Sequence, residues 1–309
     1  MVSGLVSACA AGVAIEPQPL APGTELLKAA ARTPLVPIST SSSTSKASSA
    51  VSLRRQRIVA YYGNPRAREM GILGELPPEQ MLARLDREVE AWEEADSTMP
   101  VMPALHMIAV MASSHAGPDG KYRVRLPKAA IEDVISWAEK AGAIVILDIQ
   151  PGRSTVADEL RPLLPYLERP NVHLALDPEW RMHGNALPGK RVGTMYADEV
   201  NHAIDALSRL VEEHNLPPKV LVIHRFTRAM LPDAQLIRED PNVEVVLNMD
   251  GWGPPSTKIG SYRSHVARAP IEYKGFKLFY KHDRKGGSHM MSPAEVLALT
   301  PVPVYIQYQ

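Results

Sequence analysis

From Arg57 onward, the chain alternates between two hydrophobic patterns. Short runs of β-branched and other apolar residues predict eight strands, while apolar residues at helical spacing, such as Ile131, Val134, Ile135 and Ala138, predict helices between them. The predicted strands cover residues 58–62, 101–110, 143–150, 172–177, 219–224, 243–250, 276–280 and 302–308. The predicted helices cover residues 78–94, 127–140, 155–167, 196–214 and 292–299.

Strands that alternate with helices indicate a parallel sheet. Eight such repeats between residues 57 and 309 favour one (β/α)8 barrel of the TIM type, since a domain of this kind takes about 250 residues. A doubly wound dinucleotide-binding sheet fits less well, because no Gly-x-Gly-x-x-Gly follows the first predicted strand. The sequence therefore predicts an α/β fold with a single barrel domain.

One face of several predicted strands becomes polar only near the C-terminal end. Alternation places Ile144, Ile146, Asp148 and Gln150 on one face, with apolar residues on the other. The later strands repeat this pattern and end in Asp177, in His224, and in Asn248 followed by Asp250. Because active sites of TIM barrels lie at the C-terminal ends of the strands, we expect a polar site at that end.

The local sequence Asp177-Pro178-Glu179 places two carboxylates two positions apart at a strand end. Such proximity raises the pKa of one group and suits a general acid at neutral pH. Asp148 and Asp250 are expected nearby, which makes four candidate catalytic carboxylates. Asp177 or Asp250 could instead simply cap a helix or turn, as Asp-Pro and Asp-Gly sequences often do.

The segment Ala175-Leu176-Asp177-Pro178-Glu179 resembles the Asp-x-Glu strand end of barrel glycoside hydrolases, as in the lysozyme-like and chitinase-like families. This resemblance implies that Glu179 is the acid that protonates the leaving oxygen. It implies that Asp177 orients that acid or stabilises the charged intermediate. The longer series of spaced aspartates found in chitinases is absent, because His173 and Ala175 occupy the preceding inward positions.

Aromatic and polar residues near the predicted strand ends suggest a carbohydrate cleft, since sugar faces stack on aromatic rings. The candidate substrate-binding residues are Tyr62, His106, Gln150, Trp180, His224, Trp252, Tyr280 and Gln307. The prediction is therefore a glycosidase that acts on a polysaccharide or a cell-envelope glycan, without a cofactor or a metal. A barrel of the same fold that binds carbohydrate without turnover is a further alternative.

The histidines support a different hypothesis. His106, His224 and His282 could join the aspartates to hold a divalent metal, as in a metal-dependent hydrolase. The first strand lacks the His-x-His pair common in amidohydrolase barrels. Lys281, which follows the seventh predicted strand, is a minor candidate for Schiff-base chemistry.

Residues 1–56 differ in composition from the predicted barrel. Val6-Ser7-Ala8-Cys9 resembles a bacterial lipobox, and a stretch rich in serine and proline follows it. We expect a disordered leader and linker, with few contacts to the barrel before about Arg54. Lipidation of Cys9 would tether a secreted or cell-surface protein to a membrane, whereas a terminus without function is the alternative.

Composition restricts the remaining possibilities. Lys plus Arg and Asp plus Glu both number 34, so the net charge is zero and nothing indicates a nucleic-acid partner. The single cysteine excludes an intrachain disulfide and a zinc site built from several cysteines. The sequence does not determine the oligomeric state.

Overall fold

The computed structural model describes residues 51–309 and confirms a closed barrel of eight parallel strands with interleaved helices. The first strand, β1, pairs on one side with β2 and on the other with β9, which closes the barrel. The barrel strands are β1 (Arg57–Gly63), β2 (Val101–Ala112), β4 (Ile144–Ile149), β5 (Val172–Leu176), β6 (Lys219–Arg225), β7 (Val243–Met249), β8 (Tyr273–Leu278) and β9 (Tyr305–Tyr308). The additional strand β3 (Arg123–Arg125) pairs antiparallel with the far end of β2.

The helices form the outer layer, and most lie where their apolar periodicity predicts them. They are α1 (Ile72–Glu75), α2 (Pro78–Ala95), α3 (Lys128–Ala141), α4 (Val156–Leu160), α5 (Leu164–Leu167), α6 (Ala197–His214), α7 (Pro255–Ser261) and α8 (Pro293–Leu297). Within residues 51–309, none of these helices combines the length and apolar character needed to cross a membrane.

The helix predicted over residues 155–167 is broken into shorter pieces. The side chain of Thr155 caps α4 by accepting a hydrogen bond from the backbone of Asp158. A 3-10 turn over Arg161–Leu163 then separates α4 from α5. Pro162 and Pro165 lie in these segments, and neither can donate a backbone hydrogen bond, so a continuous helix is disfavoured.

Strand alternation separates the core into two layers, as the sequence pattern predicts. Val145, Leu147 and Ile149 of β4 pack in the layer between barrel and helices, whereas Ile144 and Ile146 pack inside the barrel. The same parity turns the next inward residue of β4, Asp148, toward the barrel axis. It therefore determines which side chains can form an interior site.

The largest difference from the predicted elements is at β8. This strand begins at Tyr273 rather than residue 276 and ends at Leu278 rather than residue 280. Gly275 within it leaves space for neighbouring side chains, because a Cβ there would lie 2.6 Å from Oδ1 of Asn248 and 2.9 Å from Cδ1 of Tyr305. The last strand, β9, similarly begins at Tyr305 rather than residue 302.

The described part of the leader packs against the barrel. Val51 and Leu53 are buried in the inner core layer, and the backbone N–H of Leu53 donates to Glu244 at 2.9 Å. The prediction of few contacts before Arg54 is therefore wrong for these two residues. Cys9 and the linker as far as residue 50 lie outside the described residues.

Candidate functional site

The C-terminal half of the barrel interior gathers most of the polar residues selected from the sequence. The strand ends bring together side chains from β1, β2, β4, β6 and β9 and from the residues that follow β4, β5 and β7, namely Tyr62, His106, Asp148, Gln150, Asp177, His224, Asp250 and Gln307. We call these residues, together with Lys277, the interior cluster. Most of its side chains are almost completely buried.

Asp148 lies between two histidines near the barrel axis. Its Oδ2 lies 3.7 Å from Nε2 of His106 and 3.6 Å from Nε2 of His224. All three residues are buried, and neither Nε2 atom nor Oδ1 of Asp148 has a hydrogen-bond partner within the described residues. Buried polar atoms without partners are costly, so this arrangement suits an additional bound group or a shared proton.

Residues of β7 and β9 hold the other side of His106. Its Nδ1 lies 2.6 Å from the hydroxyl of Tyr305 and 2.9 Å from Nε2 of Gln307. Asn248 in turn donates to Oε1 of Gln307 at 3.2 Å. These contacts fix the imidazole ring, and burial lowers the pKa of His106 to about 4, so it is neutral at pH 7.

Lys277 is a site residue that the sequence prediction missed. Its Nζ lies 2.9 Å from Oδ1 of Asp250 and 3.8 Å from the centre of the Tyr62 ring. The sequence prediction begins the strand at residue 276, places its candidates at Tyr280 and Lys281, and assigns Lys277 to a solvated basic surface. The parity of β8 as observed, in which Gly275 and Lys277 alternate with apolar Phe276 and Leu278, is the signal that could have found it.

His224 lies between two aspartates. Burial alone would lower its pKa, but Asp148 and Asp250 outweigh that effect and raise it to about 8. Burial would raise the pKa of Asp250, yet Lys277 and His224 hold it at about 2. At neutral pH these two aspartates therefore face two cations, His224 and Lys277, and the four charges balance.

Asp177 and Glu179 lie above this balanced group, where β5 ends. The carboxylate of Asp177 accepts a hydrogen bond from the backbone of Glu179 at 3.1 Å and contacts Gln150 at 3.5 Å. Burial raises the pKa of Asp177 to about 7. Burial and the nearby charges of Asp177 and Asp250 raise the pKa of Glu179 to about 8. Glu179 is consequently protonated at neutral pH while retaining some solvent access.

Asp177 also has the capping role considered as its alternative. Its side chain caps the 3-10 turn Pro178–Trp180 through the same bond to the backbone of Glu179. The cap holds the backbone of Glu179 at the strand end. Structural and chemical roles therefore coexist in this residue.

Three of the predicted substrate-binding residues lie apart from the interior cluster. Tyr280 packs in the outer layer, where its hydroxyl contacts Glu88 and lies 3.0 Å from that of Tyr61. Trp252 is partly buried, and its ring centre lies 5.7 Å from that of His282. Trp180 is partly exposed in the turn after β5.

Two other candidates also lie outside the cluster. His282 contacts Trp252 and Phe279 rather than the interior aspartates. Lys281 is exposed and forms an ion pair with Glu75 at 2.9 Å, a setting typical of a solvated surface lysine. Neither geometry suits the metal-binding or Schiff-base role considered for these residues.

His106, Asp148 and His224 form a set that could hold a metal ion. One ligand atom from each lies within 4.8 Å of the others, and all three residues are buried. Asp250 contacts the second nitrogen of His224, as outer carboxylates do for metal-binding histidines.

No protein-family model matches the chain, and no curated protein matches it.

Proposed function

We propose that this barrel is a glycoside hydrolase that uses carboxylate acid and base catalysis on a polysaccharide or a cell-envelope glycan. The observation that carries the proposal is the Asp177 and Glu179 pair at the C-terminal end of β5. The pKa of about 8 keeps Glu179 protonated at neutral pH, as a general acid requires. The resemblance to barrel glycosidases with a strand-end Asp-x-Glu supports the same assignment.

In this proposal, Glu179 donates its proton to the glycosidic oxygen as the bond to the sugar carbon breaks. Asp177 ionises more readily than Glu179 and stabilises the positive charge that develops on the sugar. Water then attacks the sugar carbon, supplies the hydroxyl group of the new reducing end and returns a proton to the carboxyl pair, which restores the acid. The partly exposed rings of Trp180 and Trp252 offer faces on which sugar units can stack.

The balanced group below the pair supports this chemistry electrostatically. Asp250 stays ionised beside Lys277 and His224 and helps to raise the pKa of Glu179. The role of Asp250 is therefore to hold the proton on the acid. The neutral His106 adds no charge to this environment.

The test is a hydrolysis assay on a panel of polysaccharides, cell-wall glycans and aryl glycosides, with release of reducing ends as the readout. Glu179→Gln should lower turnover by about 10²–10⁴-fold while glycan binding persists. The matched control is Glu94→Gln, since Glu94 is exposed on α2, and it should retain full activity. Unchanged turnover in Glu179→Gln would overturn the proposal, and binding without turnover in the wild type would indicate a non-catalytic carbohydrate-binding barrel.

A metal-dependent hydrolase is a second candidate, favoured by the unpartnered Nε2 atoms of His106 and His224 beside Asp148. These three residues would hold a divalent ion, which supplies a Lewis acid and an activated water when bound. Binding requires His224 to lose its proton, so metal affinity should rise with pH. Stoichiometric zinc or manganese, with activity lost on chelation and restored by the metal, would favour this candidate over the glycosidase.

We also propose that the protein is secreted or held at the cell surface through lipidated Cys9. The support is the lipobox-like Val6-Ser7-Ala8-Cys9 and the linker rich in serine that follows it. Cys9→Ser should release the protein from the membrane fraction of a native-like host without loss of activity. Equal partition of variant and wild type would contradict the tether.

A further inference from the structure

A pocket of about 240 Å³ lies outside the barrel wall beside the C-terminal end of β6. It is bounded by the turns after β6 and by the π-helical turn Tyr262–Val266 and the residues that follow it. Its polar lining consists of Arg225, Arg228, Gln235, Ser264, His265 and Arg268. None of the residues that line it is an aspartate or a glutamate, although the protein as a whole is neutral.

Arg225 forms the buried floor of this pocket. It is 5% exposed and follows His224, so strand alternation turns it away from the barrel interior. Its Nε and Nη2 donate to the carbonyls of Thr227 and Arg228 at 3.2 and 3.4 Å. Within residues 51–309 no carboxylate forms an ion pair with it, unlike the buried Arg57, whose guanidinium pairs with Asp96. A buried charge without a counter-ion is unfavourable, so a bound anion would stabilise this arrangement.

Two of the other polar residues, Arg228 and Arg268, add positive charge rather than compensating that of Arg225. Burial and the charge of Arg228 lower the pKa of Arg225. Burial and the charges of Arg225 and Arg228 also lower the pKa of His265. Its Nδ1 is buried without a hydrogen-bond partner within the described residues. Nε of Arg228 donates a hydrogen bond to the carbonyl of Ser264 at 3.4 Å, which joins the two sides of the pocket. Arg268 is exposed at the rim.

We propose that this pocket binds a phosphate-class oxyanion, either free phosphate or the phosphate group of a small ester. Guanidinium groups donate paired hydrogen bonds that match the oxygens of such an anion. Three arginines around one cavity favour a dianion over a single carboxylate. The site is separate from the interior cluster, so the proposal depends on neither candidate function.

The test uses the full chain and measures binding by calorimetry, with thermal unfolding as a second readout. The probes are inorganic phosphate, glycerol 3-phosphate and acetate, each compared with sodium chloride at equal ionic strength. Both phosphate probes should raise the melting temperature, whereas acetate and chloride should not. Tighter binding of glycerol 3-phosphate identifies an ester as the ligand class, and equal or weaker binding identifies free phosphate.

Substitutions at the exposed rim test the residues without disturbing the core. Arg228→Gln and Arg268→Gln should each weaken phosphate binding about tenfold, as expected for loss of one charge-assisted hydrogen bond. Arg263→Gln is the matched control. Arg263 is exposed on the π-helical turn that borders the pocket, but it does not line the pocket. Stabilisation by phosphate no greater than that by chloride, or equal weakening in all three variants, would overturn the proposal.

Discussion

Nδ1 of His224 lies 2.9 Å from Oδ2 of Asp250, so the ends of β6 and β7 are joined by an ion pair inside the barrel. This contact turns the opposite ring nitrogen of His224 toward Asp148. The other oxygen of Asp250 is occupied by Lys277. Asp250 is therefore engaged on both sides, which leaves Asp177 and Glu179 as the carboxyl groups that are not neutralised by a cation at the barrel mouth.

The pH profile of hydrolysis should report the proton of Glu179. Since the pKa of Glu179 is about 8, kcat/KM should fall as the pH rises through about 8. Asp177→Asn removes a negative charge that raises this pKa, so the alkaline limb should move to lower pH while the rate also falls. Kinetics across pH 5 to about 10 would measure both effects.

The control for this profile is Asp198→Asn, because Asp198 is an exposed carboxylate in the first turn of α6. It should leave the alkaline limb in place. If Asp177→Asn also leaves the limb and the rate unchanged, the carboxyl pair is structural and the glycosidase proposal should be abandoned.

Breaking the buried ion pair of Lys277 and Asp250 should strongly destabilise the fold, because removal of one partner leaves a buried charge that is no longer balanced. Lys277→Met should lower the free energy of unfolding by about 3–5 kcal/mol. The double variant Lys277→Met with Asp250→Asn should lose less than the sum of the single variants, since neither charge is then left alone. Denaturant unfolding of the four proteins measures this coupling, and strict additivity would show that the two groups do not interact.

The barrel could be predicted because its determinants are local patterns. Strands such as β4 carry two apolar faces, and helices such as α2 and α3 carry one apolar face each, so period and order indicate the fold. Where the local pattern differs, the sequence predicts the element but not its bounds. β8 begins Tyr273-Lys274-Gly275, where lysine and glycine disfavour a strand assignment, although Lys274 is buried and its ammonium group donates to the carbonyl of Ala269 at 2.8 Å.

The sequence also predicts which side chains of the candidate site point into the barrel, but it does not predict which of them contact one another. Asp148, Asp177 and His224 follow from strand alternation and from the common position of parallel strand ends. The ion pair of Asp250 with Lys277 depends on the register between β7 and β8. That register could not be predicted, because the predicted start of β8 was wrong. The contact of Tyr305 with His106 depends on barrel closure, which no local pattern encodes.

The residues that precede β1 should stabilise the base of the barrel. Leu53 is 1% exposed and packs with Ile58 and Val220 in the inner layer. Leu53→Ala should lower the free energy of unfolding by about 2–5 kcal/mol because it leaves a cavity there. The neighbouring Arg55→Ala should change it by no more than about 0.5 kcal/mol, since Arg55 is exposed. Equal, small effects in thermal unfolding would show that this segment does not belong to the core.

Glu179 should make the folded protein less stable as the pH rises, independently of any activity. Its pKa is about 8 in the folded state and 4.5 in the reference state, so between these values the unfolded chain releases a proton that the native state retains. The unfolding free energy should therefore fall between pH 4.5 and 8, and Glu179→Gln should remove that part of the slope. We expect the variant to melt several degrees above the wild type at about pH 8 and to approach it at about pH 4.5. Parallel stability curves for the two proteins would mean that Glu179 ionises normally and cannot serve as the acid at neutral pH.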